Sequence, residues 1–470
     1  MELLLKPVAE RPEYVGLWFL SLGILALMAG MLFGTIGGFQ FLFPEFLQEL
    51  SFVKSRPLHV SLAVAWIFLA AVGSIYYYLP NHCGLRLFFP VAARWHFWIF
   101  LLTGIAILSS YVAGRFGGRE YWEFPAALSI PIFASWILFG VIYFRTVLKR
   151  LEPWPVYFWM WGTGIVFFFL TYAESYLWLI PYFREDMIRE LSVQWKSYGA
   201  LVGSWNMLVY GTAIFVAEKI SGERKIALSK LAFGMYFLGL TNLLFGWSHH
   251  IYLLPSAPWI RHFGYIISMT ELLILGKIIW DWRDSLTDLQ KHHYCVAYRF
   301  LFAANIWVFL NLILALLISV PAFNIITHGT HITVAHSMGS TIGINTMILL
   351  SSVFLVIRLE YKEEAPAGSS RPVMMGFWLA NGCLLVFWVA LILAGFTKGF
   401  YDGPSFQNMM QTIRPHLLVF VGSGVGVMLG LWLVLLPALR LILNLVSTRK
   451  RHATVAGNPL ERRLNMPRSS

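Results

Sequence analysis

Charged residues are scarce in this chain of 470 residues: Asp, Glu, Lys and Arg together make up only 12% of it, whereas 58% is hydrophobic. A soluble domain of this length could not hide that much apolar surface, so the composition excludes one. Cysteine is scarce as well. The three cysteines, Cys83, Cys295 and Cys383, share no CxxC spacing and lie on different segments, which excludes a disulfide framework and a cysteine-based zinc site.

Long apolar runs take up most of the chain. A transmembrane helix needs about 20 apolar residues, and twelve such runs predict an all-α membrane protein: a twelve-helix transmembrane domain in residues 1–448 and a basic cytoplasmic tail in residues 449–470. No small-residue cleavage site follows the first run, which favours a membrane span over a signal peptide. The runs begin near Tyr14, Leu58, Trp95, Pro125, Trp154, Trp195, Ile226, Pro258, Tyr294, Gly329, Val373 and Arg414.

The formal net charge of +12 indicates membrane topology and not nucleic-acid binding. Basic residues concentrate in alternate loops, which is the positive-inside pattern. This pattern predicts that both termini lie in the cytoplasm, as an even number of spans requires, and that the tail lies on the anionic inner surface of the bilayer. The basic clusters are Arg145, Lys149 and Arg150; Arg224, Lys225 and Lys230; Arg358, Lys362 and Arg371; and Arg449, Lys450 and Arg451.

A few histidines interrupt the apolar runs, and ionisable side chains inside a membrane are candidates for a functional site. His59 lies near the outer end of the second run, His249 and His250 end the seventh, and His336 and Met338 lie about two turns into the tenth. At a rise of about 1.5 Å per residue, the predicted topology places all five in the outer third of the membrane. Imidazole and thioether groups suit iron or copper, so the set predicts a redox site.

The spacing of His336 and Met338 indicates two cofactors. Residues two apart on a helix point about 200° apart, so these side chains address opposite faces of the tenth helix. His249 and His250 lie at a helix end, where both rings can reach one ion. We therefore predict two planar cofactors flanking the tenth helix and a further metal facing one of them. Two alternatives stay open: His59 alone could hydrogen-bond a neighbouring helix, and Met338 could simply pack in the core.

Six sequence blocks resemble the haem-copper oxidase superfamily, and within it the large subunit of cytochrome-c-dependent nitric oxide reductase. The resemblance covers nearly the whole chain, and the blocks occur in the family's order. It implies a twelve-helix bundle of the subunit I type in the bacterial inner membrane. The blocks are RPLHVSLAVAW at 56–66, SIYYYLP at 74–80, GREYWEFP at 118–125, GWSHHIYLLP at 246–255, SMTELL around Glu271 and THGTHITVAHSMG at 327–339.

The resemblance implies two haem b groups. It makes His59 an axial ligand of a low-spin haem, with Met338 standing where the family has a second histidine on the tenth helix. It makes His336 the proximal ligand of a second, high-spin haem. It also implies that Arg56 pairs with a haem propionate and that His328 is a cofactor-binding residue.

The resemblance further implies metals and catalytic residues. It assigns His249 and His250 to a non-haem metal, which is iron in the reductases and copper in the oxidases. Glu120 resembles the carboxylate that binds a calcium ion between the haem propionates, and calcium takes oxygen ligands from several groups at once. Glu271 resembles the buried carboxylate that supplies protons near the catalytic metal, and Tyr198 is the second candidate catalytic residue.

Met338 is the first departure from the family pattern. Methionine can ligate haem iron, so a His59/Met338 axial pair is one interpretation and a five-coordinate iron with Met338 packed beside it is the other. The tyrosine that the oxidases place near the non-haem metal is also absent, because Leu243 occupies the position it has in the C-type enzymes. That absence argues against ordinary four-electron reduction of oxygen.

The sixth helix also departs from the family, because it carries no histidine to complete the non-haem metal site. Tyr198 or Gly199 occupies the histidine position, and Val202 or Gly203 occupies the position of the reductase carboxylate one turn later. Tyr198 is either a phenolate ligand that fills the gap or an interfacial aromatic residue.

These residues lead to two functional hypotheses. The first is a nitric-oxide-reductase-like oxidoreductase that passes electrons from a periplasmic cytochrome c, through the low-spin haem, to a haem and non-haem metal centre that reduces NO to N₂O. No CxxCH haem-attachment site occurs in the chain, so the donor would be a separate cytochrome c, membrane-anchored or soluble. The second is a haem-binding subunit without a competent non-haem metal. A terminal oxidase that reduces O₂ remains an alternative.

Overall fold

The computed structural model describes residues 13–150, 152–255, 257–270, 293–361 and 371–457. Within these residues the chain is helical apart from short connections, and eleven helices are long and apolar enough to cross a membrane. The predicted all-α transmembrane bundle is therefore confirmed. Buried side chains from nearly every helix form one continuous apolar core, as expected when each backbone must satisfy its own hydrogen bonds in lipid.

The helices are numbered in chain order. α10 is a single span that changes geometry along its length, and α7 ends in a 3₁₀ segment, Gly246–Ile251. The helices are α1 Glu13–Leu42, α2 Phe52–His82, α3 Pro90–Val112, α4 Ser129–Val147, α5 Val156–Glu174, α6 Met187–Ser221, α7 Lys230–Phe245, α8 258–270, α9 Cys295–Ser319, α10 His331–Tyr361, α11 Arg371–Gly399 and α12 Phe406–Gly457.

Two of the sequence predictions extend beyond the described residues. The eighth apolar run begins as α8 and continues into residues 271–292, which lie outside the description, as does the candidate residue Glu271. A count of twelve spans therefore stays a prediction. At the other end, α12 continues through Gly457, past the predicted start of the basic tail at residue 449.

α10 is the most enclosed helix of the bundle. In its most apolar stretch 89% of the residues are buried, compared with 33% for α3, α4 and α12. It packs against α2, α6, α9, α11 and α12. The helix that carries His336 and Met338 is therefore surrounded by protein, whereas lipid-facing side chains belong mainly to the outer helices.

α10 is not an α-helix throughout. His331–Met338 is α-helical, Gly339–Thr346 is π-helical and Met347–Tyr361 is α-helical again. A side chain at Gly339 would displace Asn311 on α9, because an ideal Cβ there would overlap Asn311 Oδ1. Asn311 Nδ2 donates to Ser340 Oγ at 2.8 Å. π-Helical turns inside α-helices often occur at functional sites, and this one follows Met338 directly.

Polar contacts fix how α10 sits against α2. Trp66 Nε1 donates to Thr346 Oγ1 at 3.0 Å. Further along both helices, Ser352 Oγ contacts Ser74 Oγ at 2.8 Å and Tyr78 Oη at 2.7 Å. Side-chain hydrogen bonds between membrane helices each add about 0.6 kcal/mol on average. Together they define one register between the two helices.

α1 and α2 approach each other closely because glycines face each other at one end of the pair. An ideal Cβ at Gly16 would lie 2.7 Å from the Gly73 carbonyl oxygen, and one at Gly73 would lie 2.9 Å from the Gly16 carbonyl oxygen. Small residues at such contacts let membrane helices pack backbone to backbone. The contact brings the later turns of α1 against the first half of α2, where His59 lies.

Candidate functional site

One cavity of about 340 Å³ inside the bundle collects the intramembrane candidates. It is enclosed mainly by apolar side chains and glycines of α1, α2, α6, α7, α9 and α10. The structure thus brings together side chains that are far apart in sequence. The candidates that line it are His59, Tyr198, His249, His250, His336 and Met338.

The α1 backbone orients the imidazole of His59. Its Nδ1 lies 2.7 Å from the carbonyl oxygen of Gly30 on α1. A carbonyl can only accept, so Nδ1 carries the proton and donates, and Nε2 keeps a free lone pair. A hydrogen bond of this kind on one ring nitrogen is how proteins prepare the other nitrogen to bind a metal.

Gly34, one turn further along α1, leaves room for the same ring. An ideal Cβ at Gly34 would lie 2.6 Å from His59 Nδ1 and 2.7 Å from Cε1, so no side chain fits there. Neither Gly30 nor Gly34 was among the sequence candidates. Their spacing of four residues on an apolar helix is the small-xxx-small signal of close helix approach, which could have identified them.

His336 lies on α10, three residues before the π-helical segment. Its Nδ1 is buried and has no hydrogen-bond partner among the described residues. Met338 is partly buried against the core and lines the same cavity. That His336 and Met338 serve two different cofactors stays a prediction.

The vicinal pair lies on the 3₁₀ segment after α7. The ring centroids of His249 and His250 are 4.3 Å apart, and their planes are inclined by 35°. His249 Nδ1 is buried without a hydrogen-bond partner in the described part of the chain. Trp195 stacks almost parallel on His250, with 5.7 Å between centroids. The indole thus restrains one ring of the pair.

His328 lies behind Trp195 and does not line the cavity. It follows the short helix Pro321–Thr327, and its ring meets Trp195 edge-on at 6.4 Å between centroids. Burial lowers the pKa of His328, which favours a neutral imidazole. Its ring contact with Trp195 places it next to the residue that stacks on His250, and its role in cofactor binding stays a prediction.

The residue of α6 that faces the histidine pair is Gly199. An ideal Cβ at Gly199 would lie 2.5 Å from Trp247 Cβ and 3.6 Å from His250 Cδ2. One turn later, an ideal Cβ at Gly203 would lie 2.8 Å from Leu243 Cα. α6 and α7 therefore approach each other through two glycines, and the space in which a ligand side chain of Gly199 would lie is filled by Trp247.

Tyr198 belongs to the neighbouring face of α6. Its side chain is buried, and its ring meets Tyr121 edge-on with 5.2 Å between centroids. Its hydroxyl has no hydrogen-bond partner among the described residues. A buried, unpaired hydroxyl that lines the cavity suits a ligand to a cofactor or substrate as well as a structural tyrosine, so its catalytic role stays a prediction.

Haem and a non-haem metal need different numbers of ligands from the protein. Haem iron is held by axial ligands such as a histidine imidazole, and His59 and His336 each offer one, so these residues fit the group. A catalytic metal site usually has three protein ligands. The described residues contain no group of three His, Cys, Asp or Glu side chains that could hold a metal. Within the described residues, two histidines facing a glycine do not complete a three-ligand centre.

The close approach at Gly199 leads to a testable expectation. Gly199→Ala adds a methyl that overlaps Trp247, and overpacking of this kind lowers the free energy of unfolding by about 1–3 kcal/mol. Gly234→Ala on α7 is the matched control, because nothing lies within 4 Å of its ideal Cβ. Thermal unfolding of both variants measures the difference. Equal melting temperatures would show that α6 and α7 are not in contact at Gly199.

A charged cluster lies where α2 begins. Arg56 donates from Nη2 to Glu120 Oε1 at 2.7 Å and from Nη1 to Glu123 Oε1 at 2.5 Å. Tyr121, between the two acids, has a φ of 67°, and this left-handed turn lets both carboxylates face one guanidinium. Glu123 is the more buried of the two, with 16% of its side chain exposed compared with 41% for Glu120.

Glu123 was not among the sequence candidates, although it lies three residues after Glu120 in the same block. Burial raises the pKa of the Glu123 carboxyl, and Arg56 opposes that shift. Calcium takes six to eight oxygen ligands, whereas this cluster offers two carboxylates that already bind Arg56. A calcium ion at Glu120 would therefore need most of its ligands from haem propionates, and this role stays a prediction.

Comparison with known proteins extends over most of the chain. Residues 14–425 match the family model described as cytochrome c and quinol oxidase polypeptide I. The chain is 23% identical over 445 residues to a nitric oxide reductase subunit of Stutzerimonas stutzeri, which covers 87% of this chain and 90% of that protein. It is 24% identical over 471 residues to cytochrome c oxidase subunit 1 of Rhodobacter capsulatus, covering 92% and 83% respectively.

Two further similarities agree with this family match. The chain is 22% identical over 405 residues to a cbb3-type cytochrome c oxidase subunit of Stutzerimonas stutzeri, covering 80% of this chain and 82% of that one. Among solved structures, a heme-copper terminal oxidase dimer determined by cryo-EM has a similar fold, with a TM-score of 0.71 and 14% identity over 92% of this chain and 84% of that chain. At this identity the structural similarity shows the fold alone.

Proposed function

The chain belongs to the cytochrome c and quinol oxidase polypeptide I family, the subunit I family of haem-copper oxidases, and from this we propose that it is a membrane oxidoreductase that binds two haem b groups and delivers electrons to a small diatomic gas. The protein is multi-pass, and its relatives are bacterial respiratory enzymes. We further propose that it lies in the bacterial inner membrane with both termini in the cytoplasm.

One observation carries the proposal: two histidines on central helices, His59 and His336, line a single apolar cavity. The Gly30 carbonyl holds His59 in the tautomer that leaves Nε2 free to bind iron. When bound, haem supplies a redox-active iron whose potential depends on its axial ligand and surroundings. The protein supplies the imidazoles, their orientation and the exclusion of water.

The remaining residues have roles that follow from their positions. Arg56 carries a positive charge at the start of α2, beside Glu120 and Glu123. In this position it can offset the negative charge of a haem propionate. His249 and His250 line the cavity and, as neutral imidazoles, can donate N–H hydrogen bonds to a small ligand held there. Such fixed donors in a water-poor site stabilise developing negative charge strongly.

We propose nitric oxide as the substrate, with a separate cytochrome c as the electron donor. Two NO, two electrons and two protons give N₂O and water. Support comes from the similarity to the nitric oxide reductase of Stutzerimonas stutzeri and from Leu243, a fully buried apolar residue at the place where the resemblance to C-type oxidases would put a tyrosine. Without that tyrosine, four-electron reduction of O₂ lacks one of its redox groups.

The second candidate is a haem-binding subunit that does not turn over gas. The observation that favours it is the contact between Gly199 and Trp247, which occupies the space of a third metal ligand. If this candidate is correct, all the iron in the purified protein belongs to haem, and the protein transfers electrons without consuming gas.

Gas consumption by the reduced protein separates the two candidates. We expect the wild type to consume NO and little O₂, and we expect His250→Ala to lower NO consumption at least tenfold, because removing one preorganised donor typically lowers the rate about 10²–10³-fold. Electrodes for both gases measure the rates, and elemental analysis gives iron and copper per haem. His331→Ala is the control, because His331 does not line the cavity. A wild type inactive with both gases would contradict gas reduction and leave the second candidate.

A further inference from the structure

A second cavity, of about 510 Å³, lies near the opposite end of the bundle. It is formed by the end of α2 at His82 and Cys83, the loop after α4 at Lys149 and Arg150, and the end of α6 at Lys219. Along α2, His59 and His82 are about 35 Å apart at the rise of an α-helix. The cavity is therefore separate from the haem site, and the positive-inside pattern places it on the cytoplasmic side.

The charges in this cavity are mainly positive. Four basic residues line it, Lys149, Arg150, Lys219 and Arg224, together with two acids, Glu152 and Glu218. Arg150 Nη2 donates to Glu152 Oε2 at 2.8 Å, and Lys219 Nζ lies 3.9 Å from Glu218. The two acids thus leave a net excess of cations facing the cavity.

The Cys83 thiol lines the same cavity as these cations. Burial raises the pKa of Cys83 to about 12, while the positive charges of Lys219, Arg150 and Arg224 act in the opposite direction. Four cations and two carboxylates around one cavity leave an excess of positive charge, which a bound anion would offset.

Two buried polar atoms in this cavity lack partners within the described residues. They are His82 Nε2 and Arg150 Nε. Buried polar atoms are nearly always hydrogen-bonded, so each buried atom without a partner calls for an explanation, such as a bound group. A guanidinium nitrogen can only donate, so the missing partner of Arg150 is an acceptor.

Two exposed leucines form an apolar rim beside the cavity. Leu228 lines it, and Leu148, next to Lys149, is 63% exposed. These residues lie at helix ends, where lipid headgroups meet acyl chains. Basic pockets between transmembrane helices on the cytoplasmic side are sites for anionic lipid headgroups.

We propose that this cavity binds a phosphate group, and that its source is the headgroup of an anionic phospholipid whose acyl chains lie along the apolar rim. Phosphate oxygens would accept from Arg150 Nε and from the Lys219 ammonium, because planar guanidinium and ammonium donors both suit phosphate. The site is independent of the haem chemistry and stands whether or not the chain reduces a gas.

The test uses the full-length protein after delipidation in detergent. Native mass spectrometry counts retained phosphatidylglycerol and cardiolipin, with phosphatidylcholine as the zwitterionic comparison, and thermal unfolding is followed with and without inorganic phosphate. The variants are Arg150→Gln and Lys219→Gln. Arg440→Gln removes the same charge from an exposed residue of α12 that does not line the cavity.

We expect both cavity variants to bind anionic lipid about tenfold more weakly than the wild type, the effect of one lost charge-assisted hydrogen bond. Arg440→Gln should bind as the wild type does. Stabilisation of the wild type by inorganic phosphate, lost in the cavity variants without a change in lipid retention, would support phosphate binding but overturn the lipid source. Equal lipid retention and equal phosphate response in all four proteins would overturn the proposal. If Arg150→Gln does not fold, the lipid retention and phosphate response of Lys219→Gln decide between these outcomes.

Discussion

Replacing His336 with alanine is expected to halve the haem content of the purified protein. The side chain lines the central cavity, and no second histidine of the described part of α10 lines it. Without the imidazole one haem loses its axial ligand from the protein, whereas the haem assigned to His59 keeps its own. The pyridine haemochrome assay gives haem per chain, and the visible spectrum shows which haem remains: the low-spin bands should persist.

His331→Ala is the matched control for this experiment. His331 lies on the same helix, five residues earlier, and is absent from the cavity wall. The control should retain both haems. Full haem occupancy in His336→Ala, or equal loss in both variants, would contradict the role proposed for His336.

Gly34→Ala is expected to abolish the low-spin haem spectrum even though Gly34 itself binds nothing. The added methyl would lie 2.6 Å from His59 Nδ1, so the ring must move away from the Gly30 carbonyl. His59 then loses both its position and the hydrogen bond that fixes its tautomer. Loss of a hydrogen bond that orients a metal-binding histidine typically weakens metal binding about 10–100-fold.

Gly37→Ala provides the comparison on the same helix. Its ideal Cβ would come no closer than 3.6 Å to any neighbour, at Ser55 Oγ, which is an ordinary contact. Low-temperature absorption or magnetic circular dichroism of the oxidised proteins measures the low-spin signal. If Gly34→Ala and Gly37→Ala give the same spectrum as the wild type, the α1 backbone does not hold His59.

The apolar runs were sufficient to predict the fold, because hydrocarbon thickness fixes the length of a span and lipid excludes unpaired backbone. The sequence also places each of the intramembrane histidines near one end of its apolar run. His59, His249 and His336 lie within seven residues of one end of their spans, Phe52–His82, Lys230–Ile251 and His331–Tyr361, and they line one cavity. The length of a span and the position of a residue along it are properties of single helices. They can therefore be predicted from each segment of the sequence separately.

Contacts between helices could not be predicted in this way. The sequence left Tyr198 and Gly199 as equal alternatives, and only the packing of α6 on α7 shows that Gly199 points at Trp247 and His250. The role of Gly34 depends on the distance between α1 and α2. The pairing of Arg56 with Glu123 depends on a left-handed turn at Tyr121. Each of these depends on where a second element lies in space.

The π-helical stretch Gly339–Thr346 also bears on how α10 is compared with its relatives. A π turn contains one more residue than an α turn for the same rise, so a helical wheel drawn from His336 at 100° per residue no longer holds beyond it. Deleting a single residue here would return the segment to α geometry and leave Met347–Tyr361 facing nearly as before, whereas the same deletion in an all-α stretch would rotate the residues after it by about 100°. Ser352 would then still face Ser74 and Tyr78. A one-residue gap in this segment therefore carries structural meaning when chains of this fold are aligned.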